Sequence, residues 1–141
     1  MTIAALTTYR SEEHPNMLWL EVETEDGVTG LGETFYAAEA VEAYVHANLA
    51  PIVLGLSAID IEAVHHRTRP YIGFVAASTE LRARSALDIA LWDALGKVTG
   101  QPVSVLLGGR VRDQIPVYNT CAGTRYVRGP KLGTTENFGI R

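Results

Sequence analysis

RSALDIALWDALGKVTGQPVSVLLGG, residues 84–109, is the stretch on which the reading of this chain turns. Leu87, Leu91, Ala94, Leu95 and Val98 recur at i, i+4, i+7, i+8 and i+11, the spacing that lines one face of a helix. Ser85, Ile89 and Trp92 form a second stripe beside the first, which predicts that two faces are buried. Ser78, Thr79 and Glu80 supply a start signal upstream, and Thr99 with Gly100 supplies a stop, with Pro102 just beyond it. A short apolar run, 103–107, follows and is closed by Gly108 and Gly109.

Working outward toward the N-terminus, the pattern is strands first and helices second. Residues 3–9 (IAALTTY) are β-prone, and 10–15 (RSEEHP) form a polar connection. Residues 17–24 alternate, with Leu18, Leu20 and Val22 on one face and Trp19, Glu21 and Glu23 on the other, as in a half-buried strand. Asp26-Gly27 signals a tight hairpin whose two central positions both need positive φ, so 28–33 returns as a third strand. Three antiparallel strands with one apolar face need helices over them. The first is 37–49, with Ala40, Val41, Tyr44, Val45 and Leu49 as its apolar set and Pro51 as its end. The second is 60–67, capped by Ser57 or Asp60 and broken by Pro70 and Gly73. The order predicts an α+β fold, a three-stranded antiparallel sheet followed by a helical bundle.

Composition bounds the function. The 141 residues fit one domain of ordinary size, and 47% hydrophobic with 20% charged residues suits a soluble globular chain with a core. A net charge of −4 gives a nucleic-acid partner no electrostatic support. No apolar run reaches the roughly 18 residues of a membrane span, so no membrane partner is expected. The first fifteen residues lack the basic lead and apolar core of a signal peptide, so the default expectation is cytoplasmic. Cys121 is the single cysteine, which excludes an internal disulfide and a cysteine-built zinc site.

The string A-x-S-A-L-D-I-A-L-W-D-A-L-G-K-x-x-G-Q-P-V-x-x-L-L-G-G, beginning at Ala83, resembles the signature of the mandelate racemase/muconate lactonizing enzyme group of the enolase superfamily. Residues 17–34 and 115–123 are also similar to that group. The resemblance implies an enolase-like N-terminal capping domain over 1–109, with 110–141 as the start of a truncated (β/α)₈ barrel. Residues 110–114 are polar, 115–121 (IPVYNTC) would be the first barrel strand, and the glycine-rich 122–141 reads as loop or disorder. A whole barrel takes about 250 residues. The expectation is therefore an N-terminal portion that is catalytically inert by itself.

The resemblance also implies a reaction. A carboxylate substrate binds Mg²⁺, a base removes the proton α to the carboxylate, and the metal stabilises the enediolate. The metal ligands and the lysine or histidine base sit on later barrel strands of the family, and no position of this sequence matches them. The catalytic and metal sets are therefore empty here. The capping domain contributes enclosure and substrate choice, through two loops that by order are 10–16 and 34–36. Tyr36 and Phe35 are the substrate-binding candidates, although both also read as a hydrophobic seam between sheet and first helix. His14 could hydrogen-bond a polyhydroxy acid, or be a solvated loop histidine. Asn119 sits near the C-terminal end of the first barrel strand, where residues face the active site. Cys121 on the same side reads as a small packed thiol. The segment VYNTCAG, 117–123, resembles the acid-sugar dehydratase branch more than the cycloisomerases.

Other charged groups read as structural. Arg84 with Asp88 and Asp93 with Lys97 are i, i+4 pairs on the signature helix, worth about 0.2–0.5 kcal/mol each. Asp88 and Asp93, set among apolar residues, are expected to anchor the helix to neighbouring backbone or arginine. His65 and His66 are adjacent and diverge, and Glu62 with His66 lacks further ligands. Glu33 closes the third strand as a scaffold residue. Two functions result. The first is the N-terminal portion of a Mg²⁺-dependent lyase or isomerase, acting on a small acid-sugar-like carboxylate and built as a homo-oligomer. The second is a non-catalytic module that binds a partner through an exposed helix face.

Overall fold

The computed structural model describes residues 1–69 and 78–117. Strands β1 (Ile3–Tyr9), β2 (Met17–Thr24) and β3 (Thr29–Phe35) form one antiparallel sheet in the order β1-β2-β3. The alternation of β2 is realised in full. Leu18, Leu20, Val22 and Thr24 are at most 1% exposed, while Trp19, Glu21 and Glu23 point away from the core face. The hairpin forms, but by a different turn from the one expected. Only Gly27 has positive φ (76°). Its N–H donates to Thr24 O at 2.8 Å, and the Thr24 N–H donates to Val28 O at 2.9 Å. This is a three-residue loop with glycine in its left-handed position, a geometry that asks nothing unusual of Asp26.

Helix α1 (Ala38–Tyr44) leads through a π-helical turn (Val45–Leu49) directly into α2 (Ala50–Val53). Pro51 therefore does not end the helix. The Ala50 N–H donates to Val45 O, five residues back, and this wider turn sits where the proline ring would otherwise meet the preceding coil. Helix α3 (Ile61–Arg67) follows Asp60, and α4 (Thr79–Thr99) is the long helix read from the opening stretch. Gly100 ends α4 at φ 64°, and the Gln101 N–H returns to Gly96 O at 3.0 Å. The expected glycine stop is thus a left-handed cap that satisfies a terminal carbonyl. The apolar run after it is a short helix, α5 (Val103–Leu106), closed by Gly108 and Gly109 at φ 106° and 92°.

The core lies between the sheet and α4, with α1 to α3 closing its end. Leu18, Leu20 and Val22 meet Val41, Val45, Leu49, Leu87 and Leu91, all nearly inaccessible. The second stripe of α4 is not the one expected. Ser85 is exposed and Ile89 is 44% exposed, while Trp92 is only partly covered. The second buried face consists of Ala86, Ala90 and Ala94, which lie against Gly30 and Gly32 of β3. A Cβ on Gly32 would come within 1.9 Å of Ala86 O, and one on Gly30 within 2.0 Å of Ala90 O. Helix and strand backbones are thus in near-contact, which small residues on both sides alone permit.

Polar anchors complete the joint. Asp93 Oδ2 accepts from the Leu31 N–H at 2.8 Å and pairs with Lys97 at 2.7 Å, and Lys97 Nζ donates to Thr29 O at 2.8 Å. The expected anchoring of Asp93 to neighbouring backbone is therefore present. Arg84 departs from expectation. Buried at 7% exposure, it turns from Asp88 toward α3, with Nε 3.3 Å from Thr68 Oγ1 and Nη2 3.2 Å from His65 O. Glu33 is exposed and lies inside β3, opposite Trp19, because the strand runs two residues further than expected. Residues 115–117 form no strand, and Ile115 and Val117 are 75% and 89% exposed. A strand needs a neighbour to complete its ladder, and no described element pairs with this one. Residues 70–77 and 118–141, including Asn119, Cys121, the breaker Gly73 and the expected tail loop, lie outside the described residues.

Candidate functional site

Where β3 ends, the chain makes a local conformation that its sequence does not advertise. Thr34 and Phe35 are still in the strand, Phe35 opposite Met17, so only Tyr36 of the expected loop 34–36 is true connection. Tyr36 and Ala37 then take φ of 77° and 53°. Left-handed backbone at a residue bearing a side chain costs about 1–3 kcal/mol and persists only where its surroundings hold it. Here they do, from two sides. The Tyr36 N–H donates to Asn16 O of the first loop at 2.8 Å. Arg82, from the first turns of α4, donates through Nη1 to Phe35 O at 2.6 Å.

The same guanidinium lies 5.0 Å from the centroid of the Phe35 ring and 5.1 Å from that of Tyr36. Each such contact contributes about 0.5–1 kcal/mol at an exposed position. The Arg82 Nε is buried and, among the described residues, meets no acceptor. The Phe35 and Tyr36 rings are 44% and 45% exposed, so neither is a seam between sheet and helix.

The pair forms a ridge between two grooves. One, of about 410 Å³, is walled by Pro15 and Asn16 of the first loop, by Tyr36, and by the opening residues of α1. The other, of about 420 Å³, runs beside Phe35 between Met17 and Glu33 of the sheet and Arg82, Ser85 and Ile89 of α4. His14 is half-buried in the first loop, where its carbonyl accepts from the Met17 N–H at 2.9 Å. Its Nδ1 is buried and meets no partner among the described residues. The structure thus brings the first loop and the Phe35–Tyr36 ridge to one end of the sheet. Sequence reasoning missed Arg82, whose role depends on a contact 47 residues away.

The electrostatics are those of a scaffold. Burial lifts the Asp88 carboxyl above the ordinary aspartate range, nearby Glu62 adds to this, and His65 and Arg84 oppose it. The Ser78 hydroxyl, bonded to the Glu80 carboxylate, holds that group below its ordinary range at the start of α4. Among the described residues no three His, Cys, Asp or Glu side chains are grouped to hold a metal ion. The described residues therefore offer no site for Mg²⁺. Among the described residues, no helix is long and apolar enough to cross a membrane. What the arrangement offers is two open grooves on either side of an exposed aromatic ridge.

Comparison with known proteins gives this geometry a context. The family model described as the mandelate racemase / muconate lactonizing enzyme N-terminal domain matches residues 3–108. A D-galactonate dehydratase of Xanthomonas campestris pv. campestris is 41% identical over 128 residues, which is 89% of this chain and 32% of that protein. An enolase of the mandelate racemase subgroup from Agrobacterium tumefaciens superposes with a TM-score of 0.81 at 48% identity, over 86% of this chain and 34% of the other. Muconate lactonizing enzyme from Pseudomonas putida superposes at 0.68 with 33% identity, over 80% of this chain and 34% of the other. The chain thus spans about a third of the length of these relatives.

Proposed function

Since this chain belongs to the family of mandelate racemase / muconate lactonizing enzyme N-terminal domains, we propose that it serves as the substrate-enclosing part of an acid-sugar dehydratase. The observation that carries this reading is the 41% identity to D-galactonate dehydratase across 89% of the chain. The reaction would remove the proton α to a carboxylate and expel a hydroxyl from the neighbouring carbon. The resemblance implies Mg²⁺ ligands past the first barrel strand, and a metal held there would supply electrostatic stabilisation of the charge left by proton removal.

The part played by this chain is to close and shape the pocket. The Phe35–Tyr36 ridge and His14 would face the sugar hydroxyls, with Asn119 contributing from the side of the barrel. Exclusion of water at that surface strengthens every polar contact made to the substrate. The reading includes assembly as a homo-oligomer. The second reading, a partner-binding module without chemistry, draws support from Ile89 and Leu107, which are 44% and 64% exposed beside α4 and α5.

The test uses the gene extended beyond Arg141. Exchange of the α-proton of D-galactonate in deuterated water, dependent on added Mg²⁺, is the expected result, together with loss of water. Absence of exchange across a library of acid sugars would remove the substrate assignment and favour the binding module.

A further inference from the structure

We propose that Arg82 is a positioning residue that sets the substrate preference of the enzyme by fixing the Phe35–Tyr36 ridge. The proposal rests on the reading of that ridge as substrate-facing. Three observations converge on one guanidinium. Its Nη1 donates to Phe35 O at 2.6 Å, the carbonyl immediately before a left-handed residue. Its plane serves two exposed aromatic rings at 5.0 and 5.1 Å. Its Nε is buried with no acceptor among the described residues, which leaves the Phe35 carbonyl and the two rings as the partners shown for this guanidinium.

The physical argument is one of overdetermination. Tyr36 at φ 77° has extended alternatives of lower intrinsic energy. The Asn16 O bond holds only the N–H edge of the planar Phe35–Tyr36 peptide. Arg82 holds the opposite, carbonyl edge of that same planar unit, and its charge draws both rings onto the side of α4. Without Arg82 the peptide is held at one edge only, and the Tyr36 ring loses the charge that keeps it in one position between the two grooves. The ridge would persist but would no longer present one shape. A ligand judged by shape would then bind more weakly, while chemistry at a distant centre would change little.

Arg82→Met, Arg82→Lys and Tyr36→Ala in the full-length enzyme test this, with D-galactonate and its C4 epimer D-gluconate as probes. For Arg82→Met the expected result is a KM for D-galactonate raised about tenfold, with kcat within about threefold and the preference between epimers compressed. Arg82→Lys, which keeps the charge over the rings but loses the planar fork, is expected to recover part of the preference. The Arg82→Met/Tyr36→Ala pair is expected to be worse than Tyr36→Ala by less than the effect of Arg82→Met alone, since the two share the Tyr36 ring.

The second arm needs no substrate. With 3-fluorotyrosine incorporated and the Tyr36 signal assigned by Tyr36→Phe, Arg82→Met is expected to shift or broaden that ¹⁹F resonance. An unmoved resonance overturns the proposal whatever the kinetics. A changed KM in Tyr36→Ala with no change in Arg82→Met overturns the proposal and leaves the functional reading standing. No effect of Tyr36→Ala on either probe removes the substrate-facing ridge itself, and a moved resonance would then mark Arg82 as purely structural. If Arg82→Met does not fold, Arg82→Gln, which can still donate to Phe35 O but is uncharged, is read by the same outcomes.

Discussion

Asp88 shows how a residue that looks like chemistry is recruited to structure. Burial raises its carboxyl affinity for protons, and Glu62 adds to this against the opposing charges of His65 and Arg84. A carboxyl whose folded-state pKa lies above its unfolded value contributes stability below the unfolded pKa and loses it as pH rises through the folded pKa. Asp88→Asn is therefore expected to raise the Tm at pH 7, by about 1–3 °C, and to make no difference near pH 3. Thermal unfolding of the two proteins across pH checks this; an unchanged gap at every pH would locate the effect elsewhere. Ala37, at φ 53°, makes a complementary case. Glycine accepts that backbone without steric cost, so Ala37→Gly is expected to stabilise by about 0.5–1 kcal/mol, read from the denaturation midpoint.

Between elements, the decisive feature is the contact of β3 with α4. Gly30 and Gly32 oppose Ala86, Ala90 and Ala94 with no room for a methyl group on the strand side. Gly32→Ala is expected to cost more than about 3 kcal/mol, since the methyl would meet backbone and not a movable side chain. Gly27→Ala, where φ is 76° but nothing lies within 4 Å, is expected to cost only about 1 kcal/mol. Urea midpoints of the two variants separate close approach from backbone strain, and equal losses would contradict it. The same joint explains why the apolar stripe of α4 was only half legible. Leucines at 87 and 91 announce a buried face by their size, whereas alanines announce nothing until the glycines opposite them are seen.

At the scale of the whole molecule, one end of the sheet carries the ridge and its grooves, and the exposed residues of α4 and α5 lie apart from the core. Ile89, Val105 and Leu107 are 44%, 50% and 64% exposed. The 141-residue chain expressed by itself is expected to self-associate through such surface. Sedimentation velocity checks this, and a clean monomer across a tenfold concentration range would count against it. Those residues are also the ones that a barrel, in the proposed enzyme, would have to cover.

The sequence by itself determined the element order, the alternation of β2, the extent of α4 and its glycine stop, because each is written in local spacing and local backbone preference. It also carried the family resemblance, a matter of which residues follow which. Tertiary structure decided the rest. Pro51 is accommodated by a π turn whose Val45 and Leu49 are buried in the core, and Arg84 is turned toward α3 by the acceptors at His65 and Thr68. Tyr36 is held left-handed by an arginine far along the chain. Contacts between residues distant in sequence have no local signature, and the side chains that matter most at the ridge are set by such contacts.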